Sequence, residues 1–210
     1  MCPDVLEELS MSNDSARIAT LVGSRLCHDL VSPVGAISNG LELIALAGAP
    51  GPDEIGLIEQ SCASATARIN LFRVAFGHAS LDQQVGAREA AKLLSDYCLG
   101  SRLQMDWQVQ GDSQRTDVQL ACLAALCCET ALPLGGRVQI TESGGRWRIT
   151  ATGQRLATEP VLWSMLETAQ IPPDLSAARV QFACLAMLAP ERGRKLTSQF
   201  GDAAASIEIA

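Results

Sequence analysis

The sequence predicts an α+β protein: an N-terminal helical hairpin forming a dimeric four-helix bundle, followed by a C-terminal α/β sandwich. Three observations carry this reading. Two long helical patterns flank the breaker Gly48-Ala49-Pro50-Gly51-Pro52. The second pattern holds an apolar seam at alternating spacings of three and four residues. Beyond Gly86, short alternating strands and apolar helices succeed one another.

Residues 1 to about 12 read as a short lead, frayed or partly helical. From about Asn13 to Ala47 the pattern is helical. At about 100° per residue, Ile18, Val22, Leu26, Leu30, Pro33, Ile37, Leu41 and Ile44 share one stripe. His28 falls nearly opposite the centre of that stripe, with Arg25, Ser32, Gly35 and Asn39 on its side. Leu21 falls there too, against the pattern. Pro52 suits the first turn of a new helix, and Asp53 and Glu54 suit its positive end. That helix is expected to run to about Gly77, with Ile55, Ile58, Cys62, Ala65, Ile69, Phe72 and Phe76 as its seam. A lone hairpin has too little core, so dimerisation into a four-helix bundle is expected.

Ser80 to Gly86 reads as a polar joint, giving expected domains at 1–80 and 84–210. Then come a helix over Ala87 to Leu99 and a strand over Arg102 to Val109 that ends at Gly111-Asp112. An apolar helix over Arg115 to Leu132 stops at Pro133 and Gly135-Gly136. Arg137 to Glu142 and Arg146 to Thr152 form a hairpin across Ser143-Gly144-Gly145. Helices over Glu159 to Ala169 and Ala177 to Leu188 precede a second hairpin, Lys195 to Phe200 and Ala203 to Ile209. A sheet covered on one face by helices accommodates this mixture.

The formal net charge of −7 argues against nucleic acid or an anionic membrane surface as partner. Met1 to Ser15 lacks the order of a signal peptide. No apolar run is read as approaching the ~20 residues of a membrane span. A cytoplasmic protein is expected. The eight cysteines form no C-x-x-C pair, and Cys122, Cys127 and Cys128 have no nearby His to complete a zinc set. They are expected to be reduced, buried thiols.

His28 is one of two histidines. A neutral imidazole on the polar side of a bundle helix is a competent nucleophile towards an acyl phosphate. Asp29 could orient the ring or take a proton, although adjacent residues do not share a helix face. Arg25, one turn earlier, could pair with an attached phosphoryl group, and Ser32, one turn later, could hydrogen-bond it. Pro33 removes the partner of the Asp29 carbonyl, so the helix is expected to bend there. The other histidine, His78, reads as a joint or surface residue.

The run His28-Asp29-Leu30-Val31-Ser32-Pro33 resembles the H-box of sensor histidine kinases. The wider run Ser24 to Leu43, SRLCHDLVSPVGAISNGLEL, is similar to the ChpT-type histidine phosphotransferases of the bacterial cell-cycle phosphorelay. So is Arg68 to Gly77, RINLFRVAFG. The resemblance implies a homodimer with a four-helix stem and a C-terminal domain like a degenerate histidine-kinase ATPase domain. It implies transfer of a phosphoryl group from the receiver domain of a hybrid histidine kinase to His28 and on to response-regulator aspartates. Asp29 and Arg25 would be its helpers. It implies no cofactor in this chain, with magnesium carried by the partner receiver domain. Val31 stands where kinases usually carry a basic residue, which weighs against autokinase activity.

A working ATP site of the kinase kind needs an Asn-bearing helix, an Asp-x-Gly-x-Gly turn and a glycine-rich lid. The helix from Val118 offers Cys127, Cys128 and Glu129 but no Asn, and Gly153-Gln154-Arg155 replaces the turn. The competing readings are an ATP-dependent histidine kinase and a non-catalytic structural dimer. If receivers dock beside His28, Leu21, Val31 and Gly35 are expected to supply apolar contact.

Overall fold

A computed structural model describes residues 3–49, 51–201 and 204–210, with side chains of the first helix from residue 14 onward. Helix α1 spans Pro3–Ala47 and α2 spans Pro52–Ala75. The expected lead is thus already helical. Pro50, and the 202–203 part of the last hairpin turn, lie outside the described residues. Pro52 opens α2, with Asp53 and Glu54 in its first turn. The two helices approach closely where a Cβ on Gly40 would fall 2.6 Å from Ile58 Cγ1. Helix α1 continues through Pro33, which is buried.

The expected seams are only partly inward-facing. On α1, Ile18 and Pro33 are buried, while Leu41 is exposed. On α2, Ala65 and Phe72 are buried, but Ile55, Cys62 and Ile69 are exposed. Ser61, Ala67, Leu71 and Ala75 are buried beside them. These further buried positions arise because α2 packs two ways, against α1 along its length and against α3 and α4 near its end. A single heptad stripe cannot describe both. Leu21, expected on the outer side, instead packs against the core cluster with Val22 and Leu26. Its stretch of α1 lies against the C-terminal unit, which turns an apparent pattern fault into a partly buried contact.

One sequence expectation needs correction. Within Asp14–Ala47 there is an 18-residue window of mean hydropathy 1.5, only 11% of it buried. By length and composition this helix could cross a membrane. The same test is passed by helices of soluble proteins.

After α2, β1 (Gln84–Val85), α3 (Ala87–Cys98), β2 (Leu103–Trp107) and β3 (Ser113–Gln114) follow. Next come α4 (Arg115–Thr130), β4 (Gly136–Ser143), β5 (Arg146–Thr152) and α5 (Pro160–Thr168). A 3₁₀ turn at Ala177–Arg179 leads into α6 (Val180–Glu191), then β6 (Leu196–Phe200) and β7 (Ala204–Ile209). The main sheet has the order β2-β4-β5-β7-β6. Only β2 and β4 are parallel, with Met105 opposite Val138. The polar joint contains β1, which pairs antiparallel with β3. Gly144 and Gly145 close the β4–β5 hairpin with φ of +60° and +82°, a turn that demands positive φ at both positions.

One sheet face carries Val138, Ile140, Trp147, Ile149, Ala151 and Ile207, all buried under the helices. On β5 the alternate residues Arg146 and Arg148 face solvent. Helix α4 is buried almost all round, from Val118 to Cys128, because it lies between the sheet, α6 and the hairpin.

Side chains from the C-terminal unit cap the end of α2. Arg115 donates to the carbonyls of Val74 and Arg73, each at 2.9 Å. Gln119 Nε2 donates to the carbonyls of Ala75 (3.0 Å) and Gly77 (2.7 Å). Arg192 in turn holds Gln119 Oε1. The last carbonyls of a helix lack intrahelical partners and carry its negative dipole end, which suits a guanidinium. On α1, Arg17 donates to the carbonyls of Pro172 and Pro173 at 2.6 and 2.7 Å. The hairpin and the sheet unit are thus bolted together at both helices.

Candidate functional site

His28 stands on the solvent side of α1, its side chain 86% exposed, whereas that of Asp29 is 14% exposed. Despite their adjacency, Asp29 Oδ1 lies 3.1 Å from His28 Nδ1. The other carboxylate oxygen, Oδ2, accepts a hydrogen bond from Arg25 Nε at 2.7 Å. Arg25 is fixed further: Nη1 donates to the Ala178 carbonyl at 2.7 Å, and its guanidinium carbon lies 6.0 Å from the Phe72 ring centroid. A carboxylate only accepts, so the ring tautomer that satisfies this contact carries its proton on Nδ1. Nε2 then keeps its lone pair and faces solvent. Arg25 holds Asp29, while the sequence pattern alone suggested that it would meet the phosphoryl group.

Beside this pair a cleft of about 530 Å³ opens between the hairpin and the C-terminal unit. Asp29, Ser32, Arg68, Tyr97 and Ser101 help to line it. Ser32 is exposed and thus stands on the cleft wall one turn from His28.

Under the site lies a group that the sequence reading did not assemble. Tyr97 Oη donates to the Glu129 carboxylate, at 3.0 and 3.2 Å from its two oxygens. The Arg68 guanidinium lies over the Tyr97 ring at 5.5 Å, and the Tyr97 and Phe72 rings meet at a tilt of 58° with centroids 6.3 Å apart. Burial raises the pKa of Glu129, an effect eased by the Tyr97 hydrogen bond and by the charges of Arg25 and Arg68. Burial and the nearby Glu129 likewise raise that of Tyr97. The available signal was Glu129 itself, a charge closing the apolar run Val118 to Cys128.

A family model, histidine phosphotransferase C-terminal domain, matches residues 87–204. The chain is 32% identical over 186 residues to protein phosphotransferase ChpT of Brucella abortus (strain 2308), covering 86% of this chain and 88% of the relative. The chain belongs to the histidine phosphotransferase family. A solved bacterial phosphotransferase, 28% identical, superposes with a TM-score of 0.76 over 93% of this chain and 96% of its own. The mycobacterial sensor histidine kinase MprB is a more distant likeness, at 15% identity and a TM-score of 0.43 over 60% of this chain and 94% of that one.

Phosphoryl transfer between proteins in a phosphorelay is therefore the activity of this phosphotransferase. Among its described residues, no group of three or more His, Cys, Asp or Glu side chains could hold a metal ion. Cys122, Cys127, Cys128 and Cys184 are buried, and burial pushes the Cys122 and Cys184 thiols up to about 12. Half-buried Cys98 is pushed up to about 11. Cys27 and Cys62 depart from the expected burial and are exposed, because each lies on a hairpin face that this chain leaves uncovered. Cys2 lies outside the described side chains.

Proposed function

We propose that His28 is the phosphoacceptor of this phosphotransferase, taking a phosphoryl group from a receiver-domain aspartate and passing it to another. The observation that carries this reading is the pairing of an exposed ring with a sheltered carboxylate at its Nδ1. In the forward step Nε2 attacks phosphorus. The P–N bond forms as the P–O bond to the donor aspartate breaks, and the electron pair leaves with that carboxylate. The proton on Nδ1 stays shared with Asp29, which offsets the positive charge that develops on the ring. Arg25 keeps Asp29 in place, and Ser32 offers a hydroxyl at the cleft side.

The donor is the receiver domain of a hybrid histidine kinase and the acceptors are response regulators. Magnesium comes with the receiver domain, so the chain uses no metal or nucleotide of its own. The protein works in the cytoplasm as a homodimer. The exposed Leu41, Leu43, Leu46, Ile55 and Leu57 near the hairpin turn support that dimer. Covering them in a four-helix bundle would bury an apolar surface that water otherwise faces. The same burial accounts for the apolar length of α1 without a membrane.

Nitrogen-15 NMR of the imidazole tests the chemical part of the reading. Before phosphorylation the expected tautomer has hydrogen on Nδ1; after incubation with a phosphorylated receiver, phosphorus coupling is expected at Nε2. Coupling at Nδ1, or none at His28, would refute the reading.

A further inference from the structure

The phosphoryl group arriving at His28 carries negative charge that needs a cation. Arg25 is occupied: its Nε serves Asp29, its Nη1 serves the Ala178 carbonyl, and its side chain is only 14% exposed. Arg68 on α2 is differently placed. It lines the same cleft as Asp29 and Ser32. Gly40 meets Ile58, and Arg25 lies over Phe72. Stepping along the antiparallel pair between these contacts brings Asp29 level with Arg68. Neighbouring helix axes lie ~8–10 Å apart, a gap that an extended arginine crosses.

Arg68 is also unsatisfied. Its Nε is buried without a hydrogen-bond partner. Among the described residues, its guanidinium has a ring beneath it, from Tyr97, but no acceptor on its N–H groups. The nearby Glu129 carboxylate is engaged by the Tyr97 hydroxyl. A buried guanidinium Nε without an acceptor is costly to keep unless an anion completes it at some stage of the cycle. The anion that this site meets is the transferring phosphoryl group.

Building on the reading of His28 as phosphoacceptor, we propose that Arg68 is a second catalytic residue, donating hydrogen bonds to the phosphoryl oxygens as they pass between the receiver aspartate and Nε2. The guanidinium takes no proton and forms no covalent bond. It neutralises charge spread over the equatorial oxygens while the P–O bond breaks and the P–N bond forms. Ser32, which lines the same cleft from α1, gives the group a hydroxyl.

The test uses the full chain and a receiver domain phosphorylated on its aspartate. Arg68→Gln keeps a planar end over Tyr97 and removes the charge. Single-turnover transfer at saturating receiver is expected to slow about 100-fold, with unchanged receiver affinity and unchanged melting temperature. Arg68→Ala is expected to be slow as well, and to regain activity when guanidinium ion is added. Wild-type transfer rates in Arg68→Gln overturn the proposal, as does a loss confined to receiver affinity or a loss in Arg68→Ala that guanidinium does not relieve. Absence of phosphate on the wild-type protein overturns the His28 reading with it. Normal wild-type labelling with an indifferent Arg68 overturns the role of Arg68 alone.

Discussion

Asp29 Oδ1 lies 3.1 Å from Nδ1 of His28, its immediate neighbour in the chain. Residues i and i+1 of a helix diverge by about 100°, so the contact depends on both side chains bending towards the edge between their faces. Arg25, one turn earlier, holds the other carboxylate oxygen and thereby sets that bend. Ring tautomer, nucleophile and solvent access all follow from this relay of three side chains.

Asp29→Asn removes the acceptor charge and permits the amide to donate to Nδ1, favouring the wrong tautomer. Loss of a carboxylate that orients a histidine typically costs about 10–100-fold, and transfer from a phosphorylated receiver should fall by that order. Circular dichroism should be unchanged. A transfer rate equal to wild type would show that Asp29 does not set the tautomer.

Arg25→Ala leaves the sheltered Asp29 carboxylate without its guanidinium and the Ala178 carbonyl without a donor. Breaking such a partly buried, charge-assisted pair costs about 2–3 kcal/mol. Urea unfolding should register that loss, and Arg25→Lys should recover only part of it because one ammonium cannot hold both acceptors.

Glu129 gives the fold a pH dependence of known sign. Burial raises its folded-state pKa above the ordinary glutamate value of about 4.5. Between the two values the native state binds more protons than the unfolded one, so this group makes stability fall as pH rises from about 4.5 towards the raised pKa. In Glu129→Gln that contribution should vanish, and the urea midpoint should decline less over this range. A parallel decline in both proteins would mean that Glu129 is not the group responsible. Tyr97→Phe should steepen the decline, because the carboxylate loses its donor.

The joint at the end of α2 rests on Arg115 and Gln119. Arg115→Ala strips the carbonyls of Arg73 and Val74 of their donor, at a cost of about 1–3 kcal/mol. Hydrogen exchange should quicken at the end of α2 and the start of α4, with the sheet protected as before. Uniform loss of protection would show that the joint is not a local fastener.

Much of this was legible in the sequence. The breaker between Gly48 and Pro52, the Gly144-Gly145 hairpin and the helical phase of His28 depend on local rules, and local rules are what a sequence displays. The parallel pairing of β2 with β4 was not legible, since Leu103 and Gly136 meet only through a long crossover. The β1–β3 ribbon is too short to leave a periodic signal. Leu21 read wrongly because the hairpin packs against a second body as well as itself, and a single stripe cannot show two interfaces. At the site, His28, Asp29, Arg25 and Ser32 lie close in sequence, whereas Arg68, Tyr97 and Glu129 come from three separate elements and are joined only by folding.

Phosphoacceptance by His28 is tested by offering a receiver domain phosphorylated with phosphorus-32 to the wild-type protein and to His28→Ala. Acid-labile, base-stable label is expected on the wild type, none on the variant, with onward transfer of that label to a second receiver. Equal labelling of His28→Ala, or label on the wild type that survives acid, would contradict it.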